Sequence, residues 1–406
     1  MSRRGSRRPR RDDSPPEHVE VELTAIGPRG EATGTLDGAD VSAAFGLPGE
    51  RAVVEVYTRA GDRVHGRVVD VLRPAPDRVA PICPYFGSCG GCQWQHMPYE
   101  QQIVHKRAAV VAHLTGEEGR FVNPLVLPTL PAPHPYGYRN HGRFSIGRMY
   151  GELGFTTYHQ HRFFRADVCP IMHPRIEAVL GASQRRVKGH QLAVRAGVQT
   201  GDLLVNPEQD DTELPYESGQ TTFEEELLGK RYRVSAPAFF QVNTLQAERL
   251  IGTTRAALAL GPDDILLDLY CGVGTFGLAL AGDVRRVVGV EESVAALKDA
   301  RHNAEAQGVT NIEFLAGRAE EILAGLAERV DAVIVDPPRV GCRPGALEAL
   351  LRLAPRRLVY VSCDPASLAR DLRVLVDGGF TLRQVQPVDM FPQTTHVETV
   401  TLLAWE

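Results

Sequence analysis

Long hydrophobic runs are missing from this chain of 406 residues. None approaches the about 18 apolar residues that span a bilayer, so a membrane-crossing helix is not expected. No apolar stretch follows the early arginines (Arg3, Arg4, Arg7, Arg8, Arg10, Arg11), so no secretory signal is read and a cytoplasmic address is expected. An excess of positive charge is missing too. The net charge of −5 excludes a protein that coats nucleic acid over its whole surface, and any such contact must be local. Cysteines are few, seven in all, and an odd number in a long chain of a reducing compartment argues against a disulfide framework. Metal binding or catalysis is the better use for them.

The chain opens with a low-complexity tail, residues 1–17, whose arginines and Asp12-Asp13-Ser14-Pro15-Pro16 predict disorder. Such a tail either holds phosphates loosely or is simply solvated. Residues 18–75 change character. Val19, Val21 and Leu23 alternate, Gly30 and Gly34 punctuate, and apolar runs follow at Arg51–Tyr57 and Val64–Leu72. Short, evenly spaced strands with glycine turns predict a small β-barrel.

Three cysteines then fall within ten residues: Cys83, Cys89 and Cys92, with Gly90 and Gly91 between the last two. A fourth, Cys169, stands far downstream before Pro170. Four thiolates can hold either zinc or an iron–sulfur cluster. Zinc sites usually come as two close pairs, and a three-plus-one arrangement suits a cluster better, but the spacing leaves both open. His96 and His173 are read as bystanders. Residues 94–114 predict a helix with Ile103, Val104, Ala108, Val110 and Val111 as its apolar positions. Beyond it, basic and aromatic residues interleave at Tyr136, Tyr138, Arg139, His141, Arg143, Phe144 and Arg148, and again from His159 to Arg165. That pattern fits either a surface that stacks on unpaired bases or an ordinary sheet with an aromatic core face.

From Phe239 onward strands and helices alternate, which predicts an α/β domain around a mostly parallel, doubly wound sheet. Phe239–Asn243 is expected to open a helix running to about Leu258. Strand Ile265–Leu269 ends in Tyr270-Cys271-Gly272-Val273-Gly274-Thr275, a glycine turn into a helix. Glu291 ends the next strand, where a carboxylate can take two ribose hydroxyls. A dinucleotide would fit that frame, but the third glycine is missing, and Asp268 before the turn favours a cationic ligand. S-adenosylmethionine (SAM) carries a sulfonium and an ammonium and suits the acidic residues better. Asp336-Pro337-Pro338-Arg339 is a rigid turn after another buried strand, and Asp336 can accept a hydrogen bond from an imide N–H or the cofactor's amine.

Cys363 follows the apolar strand ending in Ser362 and precedes Asp364, an N-cap, and Pro365, a first helical residue. A helix start there favours thiolate, although Asp364 next door pushes the other way, and a modest net depression of the thiol pKa would give a useful nucleophile. A buried, inert cysteine is the alternative. Near the end, Glu398 precedes the strand Thr399–Ala404 and is a candidate general base; His396 is a second candidate, and two residues apart on a strand the pair would share a side, one supporting the other. A thiolate, a methyl donor and a base together suit methylation of a carbon that is not itself nucleophilic, such as C5 of uracil. Cys363 would add to C6, C5 would take the methyl, and Glu398 would remove the C5 proton. The base would have to be unpaired or flipped out.

On these stretches (Phe240-Gln241-Val242-Asn243, Asp268 to Gly274, Asp336 to Arg339, Ser362 to Pro365 and His396-Val397-Glu398) the chain resembles the RNA 5-methyluridine methyltransferase family. The resemblance implies a Rossmann-like class I methyltransferase domain (residues 94–118 and 239–406), an N-terminal OB-like barrel of the TRAM type (18–75), and a β-rich iron–sulfur domain (76–93 and 119–238). It implies Cys363 as nucleophile and Glu398 as base. SAM contacts are implied at Gln241, Tyr270, Thr275, Glu291 and Asp336, and a [4Fe–4S] cluster on Cys83, Cys89, Cys92 and Cys169. The layout is most similar to enzymes of 23S rRNA, with a T-loop uridine of tRNA as the alternative substrate. A dead, cluster-bearing RNA-binding protein is a more distant one. The expected state is a monomer. Gly317-Arg318 departs from the family, which has Asn or Asp near the adenine.

Overall fold

The computed structural model describes residues 16–147, 150–326 and 329–406. Apart from Pro16 and Glu17, the arginine-rich tail lies outside the described residues, and so does Arg148. Two compact units form, one ending at Arg78 and one running Val79–Glu406.

The first unit is a closed five-stranded barrel, in the order His18–Ile26, Ala32–Leu36, Ala39–Ala44, Arg63–Arg73, Arg51–Ala60. It is consistent with the OB-like expectation. Val21 and Leu23 point inward with Ala32, Val41, Ala43, Ala52, Val54 and Val64. Gly34 lies inside a strand rather than in a turn. A Cβ there would come within 2.3 Å of the Glu22 carbonyl oxygen, so the strands cross only because the residue is glycine. On the outside, Arg51 pairs with Glu20 and Arg73 with Glu22, each at 2.6 Å.

The second unit holds three sheets. An antiparallel one, order Leu203–Asn206, Gln191–Ala196, His141–Ile146, Leu153–Thr156, Phe163–Arg165, packs Phe144, Leu192 and Val194 against Ile176 and Leu180 of helix Pro174–Ala182. A hairpin, Thr222–Leu227 with Lys230–Ser235, stands beside it in sequence. The seven-stranded sheet runs Ile312–Ala316, Arg286–Glu291, Ile265–Leu269, Ala332–Val335, Arg357–Ser362, Glu398–Trp405, Phe380–Val388. Its first five strands are parallel and its last two antiparallel to their neighbours. Leu266, Ile334 and Val359 fill the core on one face, and Leu267, Val333 and Leu358 the core on the other. Two buried faces explain why these strands read as continuous apolar runs.

Three local readings need correction. Phe239–Val242 are not helical. The helix is Thr244–Leu258, and Asn243 is its N-cap, accepting from the Gln246 N–H. The helix expected over 94–114 is Tyr99–Thr115, and its buried stripe is Gln102, Lys106, Val110 and Leu114, while Val104 is exposed. Two of four buried positions are polar, so apolar periodicity alone misplaced the face. Finally, Glu398 opens its strand and His396 lies before it, in the preceding loop. Among the described residues no helix is long and apolar enough to cross a membrane.

Candidate active site

In an open parallel sheet the strands' carboxyl ends leave a crevice for ligands. Here Tyr270 and Gly272 follow one strand, Glu291 ends another, Gly317 and Arg318 follow a third, Asp336 a fourth and Cys363 a fifth. All of them line a single cleft of about 1060 Å³, together with Gln241, Arg339, His396 and Glu398. Strand pairing explains how Glu398 reaches Cys363 from 35 positions away in the chain. Ser362 pairs with Thr399 in an antiparallel ladder, so the next step brings Cys363 and Glu398 onto adjacent strand ends.

Local sequence builds each piece. Asp364 caps the Pro365–Asp377 helix by accepting from the Ser367 N–H at 2.9 Å, as the Asp-Pro pair predicts. Tyr270 adopts φ +63°, a left-handed conformation that is rare for a bulky residue and clusters at functional turns. Glu291 is held by two backbone donors, the Gly272 N–H at 3.1 Å and the Ser293 N–H at 2.7 Å. Thr275 is the exception among the expected cofactor contacts. It begins the Thr275–Leu280 helix, its carbonyl accepts from the Tyr232 hydroxyl, and it is not among the cleft-lining residues.

The site is rich in buried carboxyl groups. Glu398 is 4% exposed, and burial, then the Asp336 carboxylate, hold its pKa well above the usual range. Burial pushes Asp336 up to about 7. Asp268, fully buried beneath the glycine turn, is also pushed up to about 7 by burial. One of its oxygens accepts from the Gly277 N–H at 2.8 Å, and the other has no hydrogen-bond partner. A group of carboxylates driven toward neutrality is a site that gains from a cationic ligand.

Cys363 departs from expectation. Its pKa is raised, to about 12, by burial first and then by Glu398, with only Arg339 among the main influences pulling it down. The helix start cannot offset desolvation and the neighbouring carboxylates, of which the local sequence showed only Asp364 and not Glu398 or Asp336. Arg339 also meets His396, guanidinium to Nδ1 at 3.3 Å.

Cys83, Cys89, Cys92 and Cys169 line the same cleft as half-buried free thiols. Burial pushes Cys92 and Cys169 up to about 12; Cys83 also raises Cys89, Cys83 and Cys89 raise Cys92, and all three raise Cys169, so the four lie near one another. His173 caps the Pro174–Ala182 helix through its ring nitrogen, and His96 packs on Phe86 at 5.2 Å between ring centroids. Arg139 and Arg143, together with His141, whose pKa burial lowers to about 3 so that it is neutral, come to the cleft from the stretch where basic and aromatic residues interleave. Arg318 lines it as well, although the family departure at that position had set it aside.

A sheet of this order with an acidic, glycine-turned cleft at its carboxyl edge defines a class I methyltransferase. Comparison with known proteins narrows the class. Residues 225–405 match the tRNA (uracil-5-)-methyltransferase family. An uncharacterized RNA methyltransferase of Thermosynechococcus vestitus is 35% identical over 440 residues, 95% of this chain and 97% of that one. One from Gloeobacter violaceus is 35% identical over 444 residues, covering 95% and 96%. The structure of the Pyrococcus abyssi tRNA (uracil-54, C5)-methyltransferase, solved with S-adenosyl-L-homocysteine, superposes with a TM-score of 0.75 at 26% identity, covering 95% of this chain and 99% of that one. The chain belongs to the tRNA (uracil-5-)-methyltransferase family. It is a SAM-dependent RNA uracil-C5 methyltransferase.

Proposed function

We propose that this enzyme forms 5-methyluridine in 23S rRNA through a covalent Cys363–uracil adduct. The observation that carries the mechanism is the meeting of Cys363, Glu398, Asp336 and Gln241 on one cleft with the expected cofactor residues Tyr270 and Glu291. The Cys363 thiol gives its proton to solvent, and the thiolate sulfur adds to C6 of a flipped-out uracil, which moves electron density to C5. Arg339 stabilises the thiolate as it forms. C5 displaces the methyl group from the SAM sulfonium. Glu398 then takes the C5 proton, and elimination across C5–C6 releases Cys363. Gln241 holds a uracil carbonyl and Asp336 accepts from N3–H. The raised carboxylate pKa values make the site wait for its cation, because a bound sulfonium and ammonium return Asp336 and Glu398 toward their ionised forms.

The rRNA assignment rests on the family resemblance of the barrel-plus-four-cysteine layout. A second reading, a T-loop uridine of tRNA, is favoured by the similarity to the Pyrococcus abyssi enzyme along nearly the whole chain. Mapping 5-methyluridine by mass spectrometry in rRNA and tRNA from a deletion strain separates them. Loss from 23S rRNA supports the first reading, and loss from tRNA alone refutes it.

We further propose a [4Fe–4S] cluster on Cys83, Cys89, Cys92 and Cys169. Four mutually close thiols supply the donor set. Among the described residues no three His, Cys, Asp or Glu side chains are placed to hold a metal ion, so the cluster rests on the family resemblance and on the four thiols lining one cleft. When bound, the group supplies a cross-link between the Cys83–Cys92 segment and Cys169. The division of the second unit into a cluster domain and a methyltransferase domain, RNA binding by the barrel, a monomeric state and a cytoplasmic address belong to the same proposal.

A further inference from the structure

We infer that Lys106 and Asp389 form a buried clamp that positions the loop leading into Glu398, and so act on the proton-abstraction step; this rests on Glu398 being the base. The loop from Asp389 to Val397 joins strands Phe380–Val388 and Glu398–Trp405. Its neck is closed by the pairing of Val388 with Glu398, so Asp389 directly follows the strand partner of the proposed base. Lys106 Nζ meets Asp389 Oδ1 at 2.5 Å, and both side chains are fully buried.

The pair is bonded in several directions. Lys106 also donates to the Phe391 carbonyl at 2.9 Å, and the Phe391 N–H donates to Asp389 Oδ1 at 3.2 Å. The Tyr99 hydroxyl donates to Asp389 Oδ2 at 2.8 Å and accepts from the Ala132 N–H at 2.7 Å. One turn before Lys106, Gln102 makes reciprocal bonds with Gln393: its Nε2 donates to Gln393 Oε1 at 3.0 Å and its Oε1 accepts from the Gln393 N–H at 3.0 Å. The face of the Tyr99–Thr115 helix that looked wrongly polar is therefore the face that grips this loop.

Stability alone is a poor reason for such a pair. Taking two charges out of water is costly, and apolar replacements of similar volume are often neutral or stabilising. What apolar residues cannot supply is direction. The clamp fixes the loop's first turn, and Thr394 and His396 continue from it to the cleft, the Thr394 hydroxyl donating to the Phe391 carbonyl at 2.8 Å and accepting from the His396 N–H at 3.2 Å. A base displaced by about 1 Å can lose roughly 100-fold in rate.

The test uses the full-length enzyme with RNA and SAM. The double variant Lys106→Met with Asp389→Leu removes both charges, so neither is left buried alone. Tyr99→Phe loosens the clamp without disturbing the ion pair and serves if the double variant does not fold. Three quantities are read: kcat, SAM affinity, and the fraction of enzyme in a denaturation-resistant RNA adduct at steady state. The clamp predicts SAM affinity within about two-fold of wild type, kcat lower by roughly 10- to 100-fold in the double variant and several-fold in Tyr99→Phe, and a larger adduct fraction in both. Wild-type kcat, or a loss of kcat with no added adduct, overturns it. Glu398→Gln in the same assay separates the two ideas. No adduct there refutes the base assignment and with it the clamp's purpose. An adduct there with unchanged turnover in the clamp variants refutes the clamp alone.

Discussion

Replacing Asp268 by Asn should make the ligand-free protein more stable and the cofactor weaker to bind. Asp268 is fully buried and its pKa is raised from the ordinary 3.8 to about 7. A shift of about 3 units at about 1.4 kcal/mol each means an ionised Asp268 costs the folded state about 4 kcal/mol. The sign follows from proton counting. Between pH about 4 and about 7 the folded protein holds a proton that the unfolded chain has released, so stability falls as pH rises through this window and the full cost is present above it. Asn keeps an acceptor for the Gly277 N–H but places an amide donor where the unpartnered oxygen stood, at a cost of roughly 1–3 kcal/mol. The variant should therefore gain about 1–3 kcal/mol at pH 8 without ligand, and nothing or a loss at pH 5. Urea unfolding at both pH values measures this, and titration calorimetry measures SAM. Wild-type SAM affinity should rise from pH 6 to pH 8, and the variant should bind more weakly with a flatter pH dependence. A variant less stable than wild type at pH 8, or one with unchanged SAM affinity, would refute the reasoning.

Two further outcomes follow from the same charges. Arg339 lowers the Cys363 pKa, whereas burial and Glu398 raise it, so Arg339→Met should cut kcat at pH 7 and move the rising limb of the pH–rate profile to higher pH; a profile that drops in height without shifting contradicts that role. Replacing Cys92 or Cys169 by Ser should lose iron, sulfide and the brown colour from anaerobically purified protein, and colourless wild-type protein with stoichiometric zinc would overturn the cluster.

Features fixed by near neighbours in the chain were legible beforehand. The Asp364 cap, the glycine turn after Leu269 and the buried parallel strands depend on residues within a few positions of each other, and the structure forms them where the sequence placed them. The barrel was legible as alternation, but strands Ala32–Leu36 and Ala39–Ala44 were not, being short and rich in alanine, glycine and threonine. Edge strand Phe380–Val388 also went unread, because a charged Arg383 and two glutamines interrupt its apolar pattern. Long-range features were out of reach. The direction of the Cys363 shift is set by burial first and then by Glu398, and only the fold supplies either. Lys106 and Gln102 look like solvent-facing residues of a helix until Asp389 and Gln393, more than 280 positions away, are folded against them.

The most direct measurement is intact mass spectrometry of the enzyme after incubation with SAM and RNA containing 5-fluorouridine, whose fluorine no base can remove as a proton. A trapped species with the mass of protein plus RNA plus one methyl group, joined through Cys363 and absent from Cys363→Ala, is the expected result. Continued methylation by Cys363→Ala, or a methyl group found on ribose or nitrogen, would contradict the account.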